Sequence, residues 1–163
     1  HAAVEWPGPV YCRFSRTNFP TVTSVEDPFE IGPAYVMRDG SDLTLAACGI
    51  MVSRSLEAAE ELESEDISTR VINVSTIKPL DRATLLRAAR ETGGIVSAEE
   101  HTIVHGLGSA IASVVVAEHP VPMEFVGVQD TFGESGEAFE LLEKYGLTST
   151  KLVEAARRVM KRR

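Results

Sequence analysis

Cysteine is scarce: only Cys12 and Cys48 occur in 163 residues, too few for a disulfide scaffold. Each lies in an apolar, strand-like setting, so both are expected as buried, reduced thiols. Positive charge is scarce as well. Sixteen Lys and Arg stand against 24 Asp and Glu, a net charge of −8, which excludes nucleic acid and anionic membranes as main partners. The one basic cluster, Arg157, Arg158, Lys161, Arg162 and Arg163, closes a predicted helix, where cations suit the negative end of the dipole. No apolar run is long enough to cross a bilayer and no secretory leader pattern is visible, so a cytoplasmic protein is expected. What remains, 44% hydrophobic and 25% charged residues, is the composition of an ordinary globular domain.

The pattern is irregular before residue 33 and regular after it. Ala2 to Trp6 reads as the tail of a helix, stopped by Pro7-Gly8-Pro9, and Val10 to Phe14 as a strand. Residues 17–33 contain three prolines and little periodicity, and are expected to form a linker. A lone strand ahead of a linker implies that residues 1–16 are the end of another domain. Residues 34–163 then alternate strands with helices. Ala34–Arg38 and Leu43–Cys48 flank Asp39-Gly40, a hairpin-turn signal, so they are expected as antiparallel neighbours. Helices over 50–65, 79–91, 109–118, 138–145 and 152–160 are interleaved with strands over 70–74, 95–98 and 123–128. The predicted fold is a three-layer α/β/α domain, its five-stranded, mostly parallel sheet carrying one antiparallel edge strand.

Ligands of such sheets sit at the carboxyl ends of the strands. Gly49, Ser75-Thr76, Glu99-Glu100-His101 and Asp130 all fall there. Glu99-Glu100-His101 followed by Gly106-Leu107-Gly108-Ser109 is the most distinctive stretch. Two carboxylates beside an imidazole could form an acid/base pair; equally, one Glu could cap locally while His101 meets solvent or a neighbouring subunit. The glycine turn predicts a helix start with free N–H groups, able to hold an anion or merely to pack closely on a strand. His101 and His105 are four apart, but the glycines make this stretch a turn, and no metal site is expected. No nucleophile motif accompanies these residues, so no catalytic residue is assigned. Ser15-Arg16 ends the first predicted strand, where an arginine fork could bind a phosphate or be an ordinary surface side chain.

Four segments taken together resemble the transketolase family. Gly8 to Arg16 is similar to the last strand of its pyrimidine-binding domain. Ile72 to Asp81, the Glu-Glu-His…Gly-Leu-Gly-Ser segment, and Phe132 to Gly136 with Leu141 to Gly146 are similar to its carboxyl-terminal domain. The resemblance implies a carboxyl-terminal section of an enzyme that moves a two-carbon ketol unit between sugar phosphates, as in the pentose phosphate pathway. It implies thiamine diphosphate and a divalent metal, Mg or Ca, in the complete enzyme. The family's Gly-Asp-Gly…Asn motif and its activating glutamate are not present here, so the isolated chain is expected to be inactive and to bind neither cofactor nor metal. Partners would be the missing amino-terminal and pyrimidine-binding portions, and a second copy in a homodimer. By resemblance, Arg16 and Ser15 bind the substrate phosphate, while Glu99, His101, Gly106 and Gly108 form a ligand or interface site. His105 stands where relatives carry glycine; if φ is positive there, the turn is strained or altered. Three alternatives remain: a 2-oxoacid dehydrogenase β-subunit-like section, a deoxyxylulose-phosphate synthase section, or a stand-alone binding module.

Overall fold

A computed structural model describes residues 1–163. The elements are α1 (Ala2–Glu5), β1 (Tyr35–Arg38), β2 (Leu43–Ala47), α2 (Met51–Glu63), β3 (Thr69–Asn73), α3 (Arg82–Thr92), β4 (Ile95–Thr102), α4 (Leu107–Glu118), β5 (Met123–Val128), α5 (Ala138–Lys144) and α6 (Ser149–Met160). The strands form one sheet in the order β1-β3-β2-β4-β5. β1 is antiparallel to β3, and every other pair is parallel. The α/β class, the five strands and the single antiparallel edge strand are thus as expected.

Side-chain alternation along the strands builds the two outer layers. In β2, Leu43, Leu45 and Ala47 join α2 and α6 in the larger core. Ala46 faces the other way, into a second core shared with α3 and α4. All five residues of β2 are buried, the pattern of a central parallel strand covered on both faces.

That burial explains the main departure from the expected topology. β1 and β2 are not hairpin neighbours, because β3 lies between them. A strand buried on both faces belongs inside the sheet, whereas the four residues of β1, none of them buried, suit an edge. The bend at Asp39-Gly40 instead passes the end of β3. A side chain at Gly40 would overlap the Thr69–Arg70 backbone, and Asp39 accepts a hydrogen bond from Arg70 Nε at 3.0 Å.

Two further expectations are corrected. Residues 10–14 form no strand, since no sheet edge pairs with them; Tyr11 and Phe14 are 89% and 86% exposed. The thiols are not both buried either: Cys12 is exposed and Cys48 half-buried. Helix starts are set by caps. Asp81 accepts from the Thr84 N–H at 3.0 Å, so α3 begins at Arg82 rather than Pro79. Thr148 caps α6. The basic cluster at the end of α6 pairs with the domain's own carboxylates, Arg157 with Glu65 and both Arg158 and Arg162 with Glu124.

Candidate functional site

β4 runs to Thr102 instead of ending at Ala98, so Glu99, Glu100 and His101 are strand residues. Ala98 belongs to the core under α2 and α6; the alternation of the strand therefore turns Glu99 to the opposite face, toward α4. Its side chain is buried. The carboxylate accepts from the Leu107 N–H at 2.7 Å and the Gly108 N–H at 2.9 Å. A negative group against the first turn of α4 is favoured by both the free donors and the helix dipole. The helix start expected to present free N–H groups is thus occupied by the chain's own Glu99, and local capping is what the structure displays.

The glycines follow from this closeness. A Cβ at Gly106 would run into the Glu99 carboxylate, and one at Gly108 into the Phe125 ring and the Ser97 hydroxyl. His105 adopts φ 61°, the left-handed conformation that favours glycine. It is held there by Ser109, whose Oγ accepts from the His105 N–H at 3.1 Å and donates to the Ile103 carbonyl at 3.0 Å.

A cleft of about 1320 Å³ opens at the carboxyl ends of β2, β3 and β4, roofed by the amino-terminal segment. Gly49, Ser75, Thr76 and the Glu99-Glu100-His101 run line it, as do His105 and Gly106. Asp130, at the end of β5, does not. Of the two candidate phosphate contacts, Ser15 lines the cleft; Arg16 is exposed beside it and has no hydrogen-bond or ion-pair partner. His101 is exposed, its Nδ1 3.1 Å from the Thr102 carbonyl oxygen. Burial, reinforced by the Glu99 charge, pushes the Cys48 thiol up to about 11, so this cleft thiol is neutral at physiological pH.

One pair in the cleft has no counterpart in the sequence reading. Arg13 Nη1 donates to the Glu100 carbonyl at 2.8 Å, and Nη2 lies 3.7 Å from the Glu100 carboxylate. The residues are 87 apart in sequence, and no periodicity or motif links them.

For a cofactor, the donor set is decisive. The chain has no group of three or more His, Cys, Asp or Glu able to hold a metal ion, and Asp39 is engaged with Arg70. These residues do not fit a metal–diphosphate site. No helix is long and apolar enough to cross a membrane.

Comparison with known proteins gives a consistent result. The model of the transketolase carboxyl-terminal domain matches residues 32–152. The 6-deoxy-6-sulfo-D-fructose transketolase subunit SqwH of Clostridium sp. (strain MSTE9) is 45% identical over 96% of this chain and 48% of its own length. The 1-deoxy-D-xylulose-5-phosphate synthase of Heliobacterium modesticaldum (strain ATCC 51547 / Ice1) is 38% identical over 95% of this chain and 24% of its own. Among solved structures, a split-gene transketolase described as an inactive beta4 tetramer superposes with a TM-score of 0.95 and 46% identity. That match covers 98% of this chain and 52% of the other. The chain therefore spans about half the length of the transketolase relatives compared, or less. Sheet order, domain match and these identities lead to one conclusion: this chain belongs to the transketolase family, as a carboxyl-terminal section.

Proposed function

We propose that the chain is the carboxyl-terminal part of a thiamine-diphosphate-dependent transketolase, moving a two-carbon ketol unit between sugar phosphates together with a complementary portion. The observation that carries this reading is coverage: nearly all of this chain aligns with about half of a transketolase subunit. Residues 1–16 would complete a pyrimidine-binding domain, 17–33 would be the linker, and 34–163 would support a homodimer. Thiamine diphosphate, with its divalent metal, would be held by the complementary portion and would supply the cleavage of the carbon–carbon bond. The chain alone would be inactive.

This chain's own contribution to substrate would be Ser15 and Arg16. Arg16 carries a free guanidinium next to the cleft, and such a fork matches a phosphate bidentately. A sulfonate offers a similar tetrahedral oxyanion, so the sugar named for the Clostridium relative belongs in the same assay.

The test is reconstitution. This chain, co-purified with its complementary subunit, should transfer ketol units between sugar phosphates only when thiamine diphosphate and a divalent metal are added. Arg16→Ala should then raise KM for phosphorylated sugars about tenfold or more while sparing unphosphorylated ones, because a charge-assisted pair is lost. Equal effects on both would remove Arg16 from the site. Formation of 1-deoxy-D-xylulose 5-phosphate, in place of ketol transfer, would favour the synthase reading suggested by the Heliobacterium relative.

A further inference from the structure

Ser15 and Arg16 stand in a segment with little of its own to hold it. Residues 14–18 belong to no helix or strand, and their only internal side-chain bond is Ser15 Oγ donating to the Thr17 carbonyl at 3.3 Å. The chain is tied down on either side instead. Three residues beyond Arg16, Phe19 packs on the main core and meets the Phe139 ring of α5 edge-on, with centroids 5.8 Å apart. Three residues before Arg16, Arg13 makes the only hydrogen bond and the only ion pair that join residues 1–18 to the rest of the protein. Its receiver is rigid. Glu100 follows Glu99, whose carboxylate is clamped on the first turn of α4.

We infer that Arg13 is a positioning residue, whose guanidinium, seated on the Glu100 carbonyl and near its carboxylate, sets where Ser15 and Arg16 stand at the cleft. The inference rests on the proposal that those two residues hold the substrate phosphate. Two anchors six residues apart restrict the intervening chain, and losing one lets the phosphate fork wander. Such misplacement weakens oriented binding without touching the reacting atoms. The planar guanidinium reaches carbonyl and carboxylate together, whereas a lysine ammonium can meet only one squarely.

The experiment uses the reconstituted enzyme and a protease. Arg13→Ala should raise KM for phosphorylated sugars about tenfold, leave kcat within about twofold, and leave the unphosphorylated reaction unchanged. Arg13→Lys, which keeps only one of the two contacts, should recover part of the loss and not all of it, a graded rescue that a merely structural role of the segment would not show. In the chain itself, tryptic cleavage after Arg16 should be several-fold faster in Arg13→Ala than in the wild type, with unchanged thermal unfolding. If Arg16→Ala is phosphate-selective and Arg13→Ala is not, the positioning role is wrong while the phosphate site stands. If Arg16→Ala lacks selectivity, the phosphate reading is lost, and the positioning role falls with it unless cleavage after Arg16 still accelerates. Unchanged cleavage overturns the inference in either case.

Discussion

Residues 34–163 turn their apolar side chains inward from both faces of a sheet, whereas Val4, Tyr11 and Phe14 of the first eighteen residues face solvent. The two regions also differ in how they treat polar groups. In the domain, buried Glu99 meets two N–H donors, and Thr44 and Thr92 bond to each other at 2.9 Å. In the amino-terminal segment, one arginine carries the whole polar attachment. The first region is stabilised by its own contacts. The second has strand-forming residues but no strand to pair with, and its apolar side chains stay exposed.

Four measurements sharpen that contrast, beginning where the domain is most tightly satisfied. Glu99→Ala would leave two buried donors facing no acceptor and should cost about 3 kcal/mol, read as a lower urea midpoint at constant slope. A change within about 0.5 kcal/mol would mean that water reaches the helix start and that the site is not closed.

Next comes pH. The folded-state thiol of Cys48 is raised from 9.0 to about 11 by burial and the Glu99 charge. Its contribution to stability is therefore complete below pH 9 and lost as pH climbs toward 11, by up to roughly 2 kcal/mol. Comparing alkaline unfolding of the wild type with Cys48→Ala isolates this effect. Exposed Cys12 should meanwhile react first with a thiol reagent at neutral pH, and simultaneous modification of both would contradict the difference in burial.

The smallest effect is expected from the amino-terminal segment. Removing residues 1–18 deletes one exposed ion pair and one hydrogen bond, and should shift stability by less than about 0.5 kcal/mol. A loss above about 2 kcal/mol would show that the segment and the domain unfold as one unit.

Much of the domain was legible in the linear pattern. β5 ends where its apolar run ends, and the helical spacing of Leu85, Leu86 and Ala89 marks α3. The order of strands was not: Asp39-Gly40 looks like a hairpin locally, and only the need to bury both faces of β2 sends β3 between the two strands. The candidate site was half legible. Its residues at the strand ends were visible, because parallel topology alone puts Gly49, Ser75 and Glu100 on one rim. Which of them do what was not visible. Glu99-Glu100-His101 reads as three similar polar residues, yet the start of α4 covers Glu99 while His101, two residues further along the strand, stays exposed.

By itself, then, the sequence determined the elements of residues 34–163, the class of fold and the family resemblance, since periodicity, caps and short motifs are local properties of the chain. Only the tertiary structure decided that Glu99 closes the helix start the glycines open, and that Arg13 reaches Glu100 across 87 residues. Contacts of that kind depend on burial and on strand order, which no window along the chain contains.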